Sequence, residues 1–365
     1  MAPPCIDPVV MSTHTSQSIA DTAWPSADLE KLARCPICLS TSRSLRYADL
    51  TDRLFCCAPG HWQMYTCVNC QTAYVDPRPS RASIGLAYRS YFTHHDGPSL
   101  PQGSGMRSWI KAALNGFRQR RWQMPLSNVS VIGGRLIGLL DPIRETVIAH
   151  MRHLPAQLPR AGASLLDVGC GNGLYLDLAR QAGWQVRGVD FDAQAVASAQ
   201  SRGLDVRLGG LEQVQDLVGS FDRLTCSHVL EHVHNPREWL LQMHAMLLPG
   251  GSLWLQTPNI DAFGHRRFGS HWLGLDPPRH LSLLTPKTLC KLLEDCGFTF
   301  KELPLPALMA LSVYQDSEAM AKGSPQIGAR LRWRSLFRIA WLSDAWRQSH
   351  KLAQAEFITL EAKKI

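Results

Sequence analysis

Between residues 163 and 303 short apolar runs alternate with amphipathic stretches. Ser164–Val168 is apolar and stops at Gly169; Leu174, Leu176, Leu178 and Ala179 then recur at helical spacing up to Gly183. Gln185–Val189, Asp205–Leu208, Phe221–Ser227 and Leu253–Gln256 repeat the strand pattern, the last after the turn Leu248-Pro-Gly-Gly251. Thr285-Pro286 has the form of a helix start, a capping hydroxyl followed by proline at the first position, and Gly297 ends that helix. Such alternation predicts a mainly parallel sheet with helices on both faces. Upstream, Met106–Met124 and Leu136–Leu154 read as two helices behind a Pro/Gly/Ser linker, Pro98–Gly105. Past Leu303 the pattern breaks at Pro304 and Pro306. Arg330–Lys351 then reads as one or two basic aromatic helices, with Arg330, Arg334 and Arg338 on one face, and Phe357–Ala362 as a last strand.

The 365 residues suffice for one large domain with accessories, and no apolar run approaches the ~18 residues that would span a bilayer. Met1–Ser26 is rich in Ser, Thr, Pro and Ala and lacks the basic start and apolar core of a secretory signal. Eleven scattered cysteines do not read as a disulfide framework. A cytoplasmic setting, with peripheral membrane association as an option, is the expectation. The net charge of +8 favours anionic partners without choosing among nucleic acid, acidic lipid and metabolite.

Two pairs, Cys35-Pro-Ile-Cys38 and Cys67-Val-Asn-Cys70, supply the four thiolates of a closed tetrahedral zinc site. The 28 residues between them contain Cys56, Cys57 and His61, any of which could replace a knuckle cysteine. The role expected for Zn2+ is structural.

Gly169, Gly171 and Gly173 form a tight turn between the first strand and the first core helix, with Asp167 ahead of them. Asp190 ends the next strand, where a carboxylate can accept ribose hydroxyls. The spacing is G-x-G-x-G, distinct from the G-x-G-x-x-G of dinucleotide folds. Leu165–Gly173 resembles the first motif of the class I S-adenosylmethionine-dependent methyltransferases, and the resemblance continues through Phe221–Pro236, Leu247–Pro258 and Pro278–Phe298. It implies a Rossmann-like α/β sheet of seven strands, the last antiparallel and inserted beside the strand near Leu253. It implies S-adenosylmethionine held by Asp167, Gly169, Cys170, Gly171, Gly173, Asp190, Phe191, Gly210, Leu211 and Ser227, with adenine at the turn Gly209-Gly-Leu-Glu212. The expected organisation is a disordered tail 1–30, a zinc-ribbon-like module 31–80, linker and cap helices 81–160, the methyltransferase core 161–305, a basic aromatic helical insertion 306–353 and a final strand 354–365.

Methyl transfer from a sulfonium needs an in-line nucleophile, and a hydroxyl nucleophile is helped by a base. The candidates follow the fourth strand: His228-Val-Leu-Glu-His232, with His280 further on. His228 or His232 is expected as the base, with Glu231 orienting it; the other reading is that Glu231 and His232 only fix the loop. The segment resembles the corresponding loop of quinone and other small-molecule O-methyltransferases, several of which have a Glu-x-x-Glu-His arrangement implicated in metal binding. His228 stands at its first position, which argues against the metal. Val75–Ser80 and Tyr88–His95 resemble what joins such knuckles to small-molecule methyltransferases, so that Tyr91, His94 and His95 either border a pocket or lie on a surface loop. The expected acceptor is a small molecule or a lipid- or sugar-linked intermediate methylated on oxygen. The rivals are a ribosomal-RNA methyltransferase with a zinc knuckle and an inactive cofactor-binding partner protein. The C-terminal arginines suit an anionic membrane surface or a solvated helix face.

Overall fold

The computed structural model describes residues 23–88, 105–323 and 352–365. The N-terminal part contains β1 (Leu29–Glu30), β2 (Arg43–Leu50), β3 (Trp62–Cys67), β4 (Ala73–Val75) and β5 (Arg78–Pro79). Three helices follow: α1 (Met106–Trp122), α2 (Val131–Leu139) and α3 (Asp141–His150). The core then runs β6 (Ser164–Val168), α4 (Leu174–Gln181), β7 (Gln185–Asp190), α5 (Ala193–Ser201), β8 (Asp205–Leu208), β9 (Phe221–Ser227), α6 (Pro236–Met246) and β10 (Leu247–Pro258). It continues with α7 (Phe263–Phe268), β11 (Ser282–Leu283), α8 (Pro286–Asp295), β12 (Phe298–Glu302), α9 (Ala307–Ala321) and β13 (Phe357–Lys364).

The main sheet has seven strands in the order β12-β13-β10-β9-β6-β7-β8. Strands β8, β7, β6, β9 and β10 pair in parallel, and β13 slots antiparallel between β10 and β12. Its register sets Leu253 opposite Ala362, as expected from the resemblance. The connections reverse direction at β6, whose neighbours are β7 and β9. A ligand crevice therefore opens at the carboxyl ends of β6, β7 and β9. Thr285 caps α8 by accepting from the Thr288 amide, and Gly297 follows with φ +84°.

The second sheet, β11-β4-β3-β2, takes its edge strand from the core: Ser282 pairs with Tyr74 and Leu283 with Ala73. The cysteine-bearing segment is thus joined to the loop after β10 by main-chain bonds. A buried ion cluster ties them again. Arg279 is fully buried and bonds Asp52 of the N-terminal part and Asp276 of the core, with Ala87 O accepting a further bond. Taking these charges out of water is costly, and only complete pairing sustains it.

Two details depart from the pattern reading. The single helix expected over Leu136–Leu154 is two, because Leu140 leaves helical geometry and Pro142 starts α3. The loop Ile260–Pro278 contains α7 and two further helical turns, Gly269–His271 and Leu273–Leu275. Tyr91, His94, His95 and the basic segment Arg330–Lys351 lie outside the described residues. The part of 306–353 that is described, α9, packs Leu311 and Tyr314 into an apolar cluster.

Candidate active site

The turn after β6 is shaped by its glycines. Gly169 and Gly171 have φ of +73° and +53°, a region that penalises any Cβ. A Cβ on Gly169 would strike Val229 at 2.3 Å, whereas one on Gly171 would meet nothing within 4 Å. Gly171 therefore faces open space, where a ligand can rest on bare main chain. Asp190 stands over this turn. Its Oδ2 accepts from the Gly171 amide at 2.7 Å and its Oδ1 from the Asp192 amide at 2.9 Å. Burial pushes its pKa up, and each oxygen keeps a second lone pair for a hydroxyl.

Next to Asp190, Phe191 is 67% exposed and its ring lies 6.4 Å from that of Trp239 on α6. A Cβ on Gly210 would come within 2.7 Å of Trp239 and 2.8 Å of Phe191. Phe191 and Trp239 thus close around Gly210 beside the turn at 209–212, Trp239 packed on the core cluster and the Phe191 ring open to solvent. The Leu211 side chain is fully buried in the core, so only its main chain can meet a ligand. Cys170 is likewise turned inward, its thiol pushed far up by burial. Asp167 lies behind the turn, bonded to the Arg152 guanidinium and to Thr225 Oγ1. Burial raises its carboxyl to about 6 in spite of Arg152.

The titratable cluster sits across the crevice. His228 directly follows Ser227, the last residue of β9, and has φ +55°. Its Nδ1 lies 3.4 Å from Glu231 Oε1 and its Nε2 3.1 Å from Gln256 Oε1, while the Phe357 ring packs edge-on against it at 4.7 Å. Glu231 has no exposed surface. Its Oε2 accepts from Thr257 Oγ1 at 2.9 Å, and its Oε1 makes no hydrogen bond of ordinary length. Burial alone would raise its pKa, but the nearby histidines, His228 foremost, hold it at about 2.

Behind Glu231 stand His232 and His280, rings 4.7 Å apart. His232 Nδ1 is 3.0 Å from the Arg279 carbonyl and 3.0 Å from Tyr88 Oη. A carbonyl only accepts, so Nδ1 carries the proton and Nε2 keeps its lone pair. Burial, and then His280, push the His232 pKa down to about 4. His280 Nδ1 donates to Gly274 O at 2.7 Å, which leaves its Nε2 facing Glu231 Oε1 at 3.9 Å. One ligand atom each from Glu231, His232 and His280 falls within 4.8 Å of the others. Tyr88, which the N-terminal part contributes, has no counterpart in the sequence reading of the cluster; its hydroxyl reaches His232 across 144 positions.

The four cysteines Cys35, Cys38, Cys67 and Cys70 also converge, all sulfurs within 4.8 Å of one another. The closest pairs, Cys35–Cys70 and Cys38–Cys67, are 3.6 and 3.4 Å apart. Tetrahedral thiolates at the usual Zn–S length would stand roughly 3.8 Å apart. The two knuckles share one backbone form: Leu39 and Gln71, the residue after each pair, have φ of +62° and +61° and donate to Cys35 O and Cys67 O. His61 bonds Asp49 instead, so it does not enter this cluster.

Residues 143–303 match a family model described as a methyltransferase domain. The chain is 30% identical over 177 residues to a ubiquinone biosynthesis O-methyltransferase from Xanthomonas axonopodis pv. citri, covering 45% of this chain and 72% of that protein. It is 36% identical over 149 residues to the enzyme of the same name from Xanthomonas oryzae pv. oryzae, covering 38% of this chain and 60% of that protein. A solved SAM-dependent methyltransferase from Archaeoglobus fulgidus overlaps 62% of this chain and 94% of its own at 19% identity, with a TM-score of 0.40, a likeness too slight to carry weight.

Proposed function

Because the chain belongs to the class I S-adenosylmethionine-dependent methyltransferases, we propose that it methylates a hydroxyl oxygen of a small-molecule, lipid-linked or sugar-linked acceptor, with His228 as general base and Glu231 as the group that orients it. The observation that carries this reading is the place of His228. It directly follows the strand beside the glycine turn, 3.4 Å from a buried carboxylate oxygen that makes no hydrogen bond of ordinary length. The relatives named for O-methylation in ubiquinone biosynthesis support oxygen as the methylated atom.

S-adenosylmethionine, when bound, supplies an electrophilic methyl group on a sulfonium. Asp190 would accept the ribose hydroxyls, Gly169 to Gly173 would offer main chain to the amino-acid end, and the exposed Phe191 ring beside Gly210 would offer a face to the adenine. Ser227 lies at the crevice edge, between the donor turn and His228. A neutral His228 has one proton for two accepting oxygens, Glu231 Oε1 and Gln256 Oε1. The Glu231 anion favours that proton on Nδ1, which leaves Nε2 basic beside the Gln256 oxygen; Nε2 takes the hydroxyl proton as the oxygen attacks, and the new N–H is donated to Gln256 Oε1. His232, Tyr88 and His280 form the wall behind Glu231. Cys35, Cys38, Cys67 and Cys70 hold a structural Zn2+ that fixes the β3–β4 turn, and through β11 the segment bearing His280.

A second reading rests on the three atoms of Glu231, His232 and His280 that meet within 4.8 Å. Imidazole and carboxylate together suit a first-row divalent cation, and each histidine is braced from its far nitrogen by a carbonyl, as metal ligands are. Labelled-methyl transfer into cell-extract fractions tests the first reading. Label in the small-molecule or lipid fraction is expected; label confined to RNA or protein contradicts it. Turnover that is lost on dialysis and restored by Mn2+ at constant zinc content would favour the second.

A further inference from the structure

The accessory helices expose an apolar face that the methyltransferase core does not use. On α1, Trp109 and Ile110 are 50% and 45% exposed; on α2 and just after it, Ile132, Leu136, Leu139 and Leu140 are 74%, 47%, 78% and 50% exposed. Six large apolar side chains thus stand in water on two packed helices, where a soluble domain ordinarily leaves only scattered ones.

Its presentation is rigid. α1 and α2 cross at glycines: a Cβ on Gly116 would lie 2.1 Å from Ser130 O, and one on Gly134 2.4 Å from the Gly116 carbonyl carbon. Further along, Phe117 and Trp122 of α1 and Ile137 of α2 join one apolar cluster with Tyr175, Leu176 and Ala179 of α4. On α2 the exposed side is therefore backed by a packed one, Gly133, Gly134 and Ile137.

The charge of this segment is one-sided. Residues 106–140 include Arg107, Lys111, Arg118, Arg120, Arg121 and Arg135, and no aspartate or glutamate. Lys111, Arg120 and Arg135 are exposed. We propose that α1 and α2 form a docking surface for an anionic lipid bilayer, with the apolar side chains entering the headgroup boundary and the cations meeting lipid phosphates. No helix among the described residues is long and apolar enough to cross a membrane, so the segment lies on the surface. A tryptophan at the edge of an apolar patch suits that depth. A second copy fits less well, because self-association would bring the cations of both segments face to face, and the nearest acid, Asp141, is already paired with Arg144. RNA would satisfy the cations and leave the apolar face in water.

Co-sedimentation of the full chain with vesicles tests this. Binding is expected to vesicles of phosphatidylcholine with phosphatidylglycerol, weaker binding to phosphatidylcholine alone, and a decline with salt. The double variant Ile132→Asp, Leu139→Asp and the charge variant Lys111→Glu, Arg135→Glu should each bind roughly tenfold or more weakly. Titration of the methyl donor on the same preparations should give unchanged affinity, which shows that the variants are folded and keeps this result separate from the assignment of the reaction. Absence of binding to the anionic vesicles, or equal binding by the variants, overturns the proposal. So does a dimer in light scattering that Ile132→Asp, Leu139→Asp dissociates.

Discussion

Glu231→Gln removes a charge and little else. The amide matches the carboxylate in shape, and its oxygen can still accept from Thr257 Oγ1. What is lost is the anion 3.4 Å from His228 Nδ1. Unit charges at that distance interact by about 5 kcal/mol at an effective dielectric near 20 and by about 1 kcal/mol in water. The His228 side chain is 37% exposed, so the effect lies between these limits. The amide nitrogen also presents a donor where the ring needs an acceptor, which favours the tautomer with its lone pair on Nδ1, turned away from the substrate. General-base catalysis contributes typically 10²–10⁴ in rate. A fall in kcat of about a hundredfold, about 2.7 kcal/mol, is expected. The assay is single-turnover methyl transfer at saturating donor, read beside donor affinity by calorimetry and thermal stability. Donor affinity should not change, and stability at neutral pH should fall, because the histidines that hold the Glu231 carboxyl at about 2 favour its ionised form in the folded protein. A Glu231→Gln enzyme with wild-type kcat would refute the base and its orienting carboxylate together.

Arg279→Leu leaves Asp52 and Asp276 buried without their cation and should cost about 3–5 kcal/mol in a denaturant melt; a loss under 1 kcal/mol would mean the cluster does not hold the N-terminal part to the core. Glu356 is fully buried, and burial raises its pKa to about 7 against bonds from Gly264 N and Trp272 Nε1. The folded protein then binds more protons than the unfolded chain between about pH 4.3 and pH 7, so this group lowers stability as pH rises through that window. Glu356→Gln should flatten that part of a stability-against-pH curve, and an unchanged slope would assign it to other groups. Cys38→Ser should reduce bound zinc, measured by elemental analysis, and lower the melting temperature; a metal-free wild type with the same melting temperature would exclude structural Zn2+. Phe191→Ala should weaken donor binding by roughly tenfold through lost stacking, and unaltered affinity would move adenine away from that ring.

Much of the core was legible because local chemistry and global fold agree there. Ser164–Val168 and Asp205–Leu208 are strands at the bounds that their pattern predicts, and Thr285, Pro286 and Gly297 delimit α8. What escaped is non-local. β11 is only two residues long and exists because Tyr74 and Ala73 lie opposite it. Arg279 meets Asp52 across 227 positions, a pairing that no spacing rule encodes. His228, Glu231, His232 and His280 could be picked out as candidates by residue type and place after a strand, but their division into a half-buried histidine, a buried carboxylate and two carbonyl-braced rings depends on Gly274, Arg279 and Tyr88. The one-helix reading of Leu136–Leu154 failed because apolar periodicity carries across Leu140 while Pro142 resets the backbone.

The measurement closest to the centre of this account is calorimetric titration of S-adenosylmethionine, and of its demethylated product, into the wild type and Asp190→Ala. Wild-type binding is predicted, with a loss of about a hundredfold or more in the variant. Two hydrogen bonds to a charged acceptor are worth roughly 1.5–3 kcal/mol each, and the brace on Gly171 goes with them. No binding by the wild type, or equal binding by the variant, would contradict it.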